Sequence, residues 1–163
     1  MDADQRVAVL SRGRSQVVQA VDLPGDASSV RTARRFVRAS LEASELGELD
    51  DLVDTAVLLI SELATNAVLH ARSGYRVEVA VVEGAVRFSV LDDSPVLVHR
   101  RVNRLEAATG RGLGMVEALA TRWGPTGTDD LRGRAKGIWF ELPTDPAALR
   151  SLPESIELEV ADS

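Results

Sequence analysis

The feature that most constrains this chain is the long periodic segment at 51–71. At 100° per residue, Val53, Val57, Ile60, Ala64 and Ala67 fall on one side of a helix. Glu62, Asn66 and His70 stand at i, i+4 and i+8, roughly opposite, with Leu59 and Leu63 close to them. A polar row flanked by leucines is not fully washed by solvent, which is unusual for a surface face. Asp50 and Asp51 suit the start of such a helix, because carboxylates favour the positive end of its dipole.

The flanking patterns place this helix in a larger order. Residues 16–23 are β-branched and apolar and stop at Pro24-Gly25, which reads as a strand ending in a turn. Ser28 or Ser29 suits the cap of a helix over 30–43, with Val30, Ala33, Val37 and Leu41 at helical spacing. Arg31, Arg34, Arg35 and Arg38 lie beside that stripe and read as a solvated face; the sharper alternative is a docking patch for an acidic partner. Gly47 breaks the pattern before the long helix, and Ser73-Gly74 ends it. Alternation over 75–82, a tight turn at Glu83-Gly84 and alternation through Val86, Phe88 and Val90 give an antiparallel hairpin with one buried face.

The second strand runs directly into Asp92-Asp93-Ser94-Pro95. No period persists over 96–109. Gly110-Arg111-Gly112-Leu113-Gly114 follows, then a short apolar helix over 115–121, closed by Trp123-Gly124-Pro125. Residues 127–135 read as a polar loop and 137–142 as a last strand. The order implies an α+β two-layer sandwich, with helices on one face of a mixed, mainly antiparallel sheet. The organisation expected is a flexible N-terminus over 1–14, one domain over 15–143 and an acidic, frayed tail over 144–163.

Composition narrows the function classes. A chain of 163 residues holds one ordinary domain, and 45% apolar residues suffice for its core. The net charge of −6 argues against a grip on phosphate backbone, so nucleic acid is not the expected partner. No apolar run is expected to approach the roughly 20 residues that span a bilayer, and the first residues lack the order of a secretory signal. There is no cysteine, which excludes disulfides, thiolate metal sites and a cysteine nucleophile, and fits a reducing cytoplasm.

Three polar elements interrupt the apolar pattern. Alternate glycines at 110, 112 and 114 let backbone N–H groups approach an anion, and a helix N-terminus just after them favours phosphate; three close glycines also make a plain loop. The turn is neither a Walker loop nor a dinucleotide fingerprint, because its spacing is GxGxG. Glu62 suits a proton acceptor, and Asn66, one turn on, offers a carbonyl oxygen to Mg²⁺; an exposed Glu and a surface Asn are the commoner case. Asp92 suits an acceptor for an exocyclic amine such as adenine's, or a turn-initiating Asp. His70 reads as a half-buried histidine rather than a ligand.

Taken in order, these elements resemble a family. Leu58-Leu59-Ile60-Ser61-Glu62-Leu63-Ala64-Thr65-Asn66-Ala67-Val68-Leu69-His70-Ala71 is similar to the N-box of the Bergerat-fold (GHKL, histidine-kinase-like) ATPases. That superfamily includes sensor histidine kinases and gyrase-type topoisomerases. Val90-Leu91-Asp92-Asp93-Ser94-Pro95 resembles its adenine box, Gly110 to Val116 its second glycine box, and Gly137-Ile138-Trp139-Phe140-Glu141-Leu142 its closing strand. Ala33-Arg34-Arg35-Phe36-Val37 and Arg122-Trp123-Gly124 resemble the subgroup of small anti-sigma-factor serine kinases of bacteria.

The resemblance implies roles. Glu62 would be the general base, Asn66 the Mg²⁺ ligand and Asp92 the adenine reader. Ser94 would stand in the adenine box. Gly110, Arg111, Gly112, Leu113 and Gly114 would hold the phosphates of ATP, and 96–109 would form a lid. The activity implied is an Mg-ATP-dependent serine/threonine kinase that phosphorylates an anti-anti-sigma (STAS-type) protein and sequesters a sigma factor, commonly as a homodimer. The alternative is a nucleotide-binding regulatory module that sequesters a partner with little or no kinase activity. The sequence departs from the pattern at Ser94 and Val96, where the adenine box carries glycines, and at Ile138, where many histidine kinases carry Thr.

Overall fold

The computed structural model describes residues 8–12, 16–70, 74–92, 112–126 and 136–145. In chain order the elements are β1 (Ala8–Arg12), β2 (Gln16–Leu23), α1 (Ser29–Ala43), α2 (Asp50–His70), β3 (Tyr75–Val82), β4 (Ala85–Asp92), α3 (Gly112–Leu119), β5 (Arg122–Thr126) and β6 (Lys136–Pro143). The six strands form one sheet in the order β1-β2-β3-β4-β6-β5. All five pairings are antiparallel, so among the described strands the sheet is not mixed. The helices and the sheet form the α+β arrangement that the element order implies.

Two strands depart from the sequence reading. β1 forms within the stretch read as loose, because its five residues pair with β2 from Ala8↔Ala20 to Arg12↔Gln16. β5 includes the Trp123-Gly124-Pro125 run that reads as a helix stop. It is an edge strand bonded only to β6, where a proline costs no ladder bond on the outer side.

The alternation of each strand fixes what it buries. Val77 and Val79 of β3, Val86, Phe88 and Val90 of β4, and Ile138, Phe140 and Leu142 of β6 share one core with the helices. Phe88 and Phe140, directly opposite in register, stack with centroids 5.1 Å apart. At the hairpin tip Gly84 holds φ at 71°, a region that costs an L residue roughly 1 kcal/mol. α2 lies across this core and contributes Leu52, Ala56, Leu59, Ile60, Leu63 and Ala64. By length and composition its span Asp50–Leu69 is also enough to cross a membrane, contrary to the expectation that no apolar run approaches that length. The core takes up most of those apolar residues, while Leu58 and Leu69 stay exposed.

The helix ends are set by residues other than those expected. Neither Ser28 nor Ser29 caps α1 through its side chain. Asp26 does the work instead, its Oδ1 accepting from the Ser29 backbone N–H at 3.0 Å and from the Ser28 hydroxyl at 2.6 Å. Ser29 turns inward and its hydroxyl meets the Tyr75 hydroxyl at 2.8 Å. At the other end the helix closes in a Schellman motif, with Leu46 N–H donating to Leu41 O and Glu45 N–H to Glu42 O. The left-handed position is Glu45, φ 60°, two residues before Gly47.

Candidate functional site

The topology brings the chemistry-bearing residues to one end of the sheet. Asp92 is the last residue of β4 and pairs with Tyr75, the first of β3, and with Lys136, the first of β6. Tyr75 follows closely on the C-terminus of α2, so the last turns of that helix lie at the same end. Asn66 is one turn from that terminus and Glu62 one turn earlier, about 6 Å along the axis. α3 packs on α2 and carries Gly112, Leu113 and Gly114 in its first turn.

Each of these residues has a distinct environment. Asn66 is only 6% exposed, and its buried Nδ2 has no hydrogen-bond partner among the described residues. A buried amide left so costs about 1–3 kcal/mol, and such groups are rare in native folds. Its neighbours do not share this state. The hydroxyls of Ser61 and Thr65 are committed to backbone carbonyls one turn back, at 2.7 Å each. Glu62 is half-buried and makes no hydrogen bond or ion pair to a described residue. Glu62 and Asn66 are therefore partly withdrawn from solvent, as the flanking leucines imply, and the Glu62 carboxylate and Asn66 Nδ2 are uncommitted within the described fold.

Asp92 is 5% exposed, a buried carboxyl at a strand end rather than a surface turn. The close approach of β6 contributes to its setting. A Cβ on Gly137, which pairs with Leu91, would collide with the Val90 carbonyl, so only glycine lets β6 lie this near the residues leading to Asp92.

The glycine element begins its helix earlier than the sequence pattern implies, at Gly112 instead of residue 115. Gly112, Leu113 and Gly114 therefore lie in the first turn, where the helix leaves backbone N–H groups unsatisfied and directed outward. Leu113 is buried and anchors the turn in the core, while a Cβ on Gly114 would meet nothing within 4 Å. An anchored turn with outward N–H groups beside open space suits an anion such as a phosphate. Ser94, Gly110, Arg111, the lid segment 96–109 and His99 lie outside the described residues, as does the side chain of His70.

Sequence reasoning missed the Ser29–Tyr75 contact, which ties α1 to the first residue of β3 beside the site. Burial raises the Tyr75 hydroxyl above its ordinary pKa of 10.0; the Ser29 hydrogen bond opposes this shift and the charge of Asp26 adds to it. No local signal marked the pair, because the partners are 46 residues apart.

A buried carboxyl at a strand end, a Glu/Asn pair on a core helix and a glycine-led helix start together suit a nucleotide. Consistent with this, the model describing the histidine kinase-like ATPase domain matches residues 23–129. The chain belongs to that family, and ATP binding is implied by the membership. The match spans the Glu62/Asn66 helix, the Asp92 strand and the glycine turn, while β6 beyond it completes the same sheet. None of the curated proteins matches the chain.

Proposed function

We propose that the protein is an Mg-ATP-dependent serine/threonine kinase acting in bacterial partner switching, phosphorylating an anti-anti-sigma protein of STAS type and sequestering a sigma factor. The observation that carries this reading is the Glu62/Asn66 pair, half-buried and buried, with the Glu62 carboxylate and Asn66 Nδ2 lacking partners among the described residues at the Asp92 end of the sheet. The resemblance of the flanking motifs to the anti-sigma kinase subgroup supports the choice of partners. A cytoplasmic location and a homodimer belong to the same reading.

The chemistry follows from the residues. Asp92 accepts a hydrogen bond from the exocyclic amine of the base and fixes its register. Gly110, Arg111, Gly112, Leu113 and Gly114 hold the phosphates, largely through backbone N–H groups. By the resemblance, Ser94 belongs to the adenine box. Glu62 accepts the proton of the target serine hydroxyl as its oxygen attacks the γ-phosphorus. The bond from that phosphorus to the bridging oxygen breaks, ADP leaves with the electron pair, and the serine carries the phosphoryl group.

Asn66 fits an Mg²⁺ ligand, because its carboxamide is buried and lacks a partner for Nδ2 within the described fold, and a rotated amide presents oxygen. No cluster of three or more metal-ligating side chains occurs among the described residues, so phosphates and water would complete the shell. The ion, when bound, neutralises charge on the transferring phosphoryl group.

The test is radiolabelled phosphoryl transfer from ATP to a STAS-type partner, by wild type and Glu62→Ala. Loss of transfer by at least about 100-fold with ATP binding retained supports the assignment of Glu62. Normal transfer by the variant excludes it. No transfer by the wild type, with nucleotide-independent capture of a sigma factor, favours the module without kinase activity, which the substitutions at Ser94 and Val96 motivate.

A further inference from the structure

The exposed face of α1 is a basic stripe that the ATP site does not use. Arg31, Arg34, Arg35 and Arg38 are all exposed, opposite the buried Ala33, Phe36, Val37 and Leu41. Their i, i+3 and i+4 spacing sets like charges side by side, which opposes helix formation. The first turn of α1 carries no acidic residue, and Arg31 stands near its positive end, where the dipole disfavours a cation. None of the four makes an ion pair with a described residue, although Glu42 lies on the same face. A local arrangement this unfavourable, in a chain of net charge −6, is the kind that an anionic partner offsets.

The chain itself contains such a partner. Residues 146–163 lie outside the described residues and hold Glu154, Glu157, Glu159 and Asp162 against a single arginine, Arg150. The segment leaves the sheet at Thr144, whose backbone N–H donates to Gly84 O at 3.1 Å. From residue 145 to Glu157, extended chain spans up to about 40 Å, against about 22 Å for the whole length of α1. Glu157 and Glu159, two residues apart, stand about 6.7 Å apart in extended chain, close to the rise of about 6 Å between Arg34 and Arg38. A tethered segment also meets the stripe at an effective concentration in the millimolar range, which favours it over a free acidic ligand of equal affinity.

We propose that the acidic segment 154–162 docks on the arginine stripe of α1 within the same chain. The contact is electrostatic, covers Arg31, Arg34, Arg35 and Arg38, and competes with any other acidic ligand for them. It is independent of the kinase reading.

The chain has no cysteine, so Ala39→Cys on the exposed side of α1 and Ser155→Cys in the segment give two unique sites for spin labels. Pulsed dipolar distances are measured in the full chain, diluted with unlabelled protein so that contacts between copies do not register. The expected result is a short-distance population that falls at least about threefold between about 20 mM and 0.5 M salt. It falls similarly in a variant with Glu154→Gln, Glu157→Gln, Glu159→Gln and Asp162→Asn, and in Arg34→Gln/Arg38→Gln. No short-distance population, or one insensitive to salt and to both sets of substitutions, overturns the proposal. A signal that vanishes on dilution with unlabelled protein also overturns it, in favour of docking between copies.

Discussion

Two buried polar residues, Glu141 and Asn66, are almost equally hidden, at 5% and 6% exposure, and differ in what surrounds them. Glu141 lies on the sheet face away from the helices. Its Oε1 accepts from Arg87 Nε at 2.9 Å and Nη2 at 2.6 Å, and Arg122 Nη1 lies 3.7 Å from Oε2. Arg87 in turn sits 4.4 Å from the centroid of the Trp139 ring. Asn66, at the helix-covered end of the sheet, leaves Nδ2 without a partner in the described fold. A satisfied buried group is part of what holds the fold together. An unsatisfied one has a cost that the fold does not recover, so a ligand is its natural explanation.

The sharpest way to break this comparison is to cut the Glu141 network. Arg87→Ala leaves a buried carboxylate with only the distant Arg122, and the expected loss is about 3 kcal/mol in urea unfolding, with nucleotide affinity of the folded protein unchanged. A loss below about 0.5 kcal/mol would make the network ornamental. Asn66→Ala should do the reverse. Truncation removes the cost of the unsatisfied amide but also its buried packing, so the two offset and stability changes by less than about 1 kcal/mol, while phosphoryl transfer falls at least about 100-fold. Stability lost in step with activity would mean that Asn66 is a structural residue.

Gly137→Ala tests how the sheet supports the site. The added Cβ has to displace the Val90 carbonyl, so unfolding free energy should drop by about 2 kcal/mol and ATP affinity with it, both read in parallel titrations. Tyr75→Phe removes the hydrogen bond to Ser29 and should cost about 1 kcal/mol at neutral pH. The sign of its pH effect is fixed. A folded pKa raised above 10.0 favours the protonated form, so this contribution is complete below pH 10 and is lost as pH rises through the folded value. The wild type should therefore lose stability more steeply than Tyr75→Phe in alkaline unfolding curves. Smallest of all, Glu45→Gly should raise stability by up to about 1 kcal/mol without touching nucleotide binding, because it relieves φ 60° at the end of α1.

Much of this architecture was legible in the sequence, for identifiable reasons. The long helix and the hairpin carry clean periods over 21 and 16 strand or helix residues, and they appear where those periods place them. β1 and β5 were not legible, because each is a five-residue strand made by its neighbour. Gly124 shows how. In isolation Gly-Pro reads as a turn, yet a Cβ on Gly124 would press to 3.2 Å from the Trp139 indole, so the glycine serves packing between β5 and β6. The cap at Asp26 and the left-handed Glu45 depended on local hydrogen bonds that composition does not reveal.

At the site, the residue types and their order were legible, and the burial was not. Glu62 and Asn66 stand one turn apart in any helix, but only packing decides that Asn66 is buried and Glu62 half-buried. Asp92 reads locally as a turn residue. Its burial follows from pairing on both sides with Tyr75 and Lys136, contacts 17 and 44 residues away in sequence. The start of α3 at Gly112 likewise depends on Leu113 reaching the core, which a run of glycines hides.

The most direct measurement is calorimetric titration of the protein with ATP and Mg²⁺, beside Asp92→Asn. The account predicts saturable binding to the wild type that the substitution weakens at least tenfold, about 1.4 kcal/mol. Equal affinity in the two proteins, or no saturable binding to the wild type at millimolar ATP, would contradict the claim that the buried polar end of the sheet is a nucleotide site.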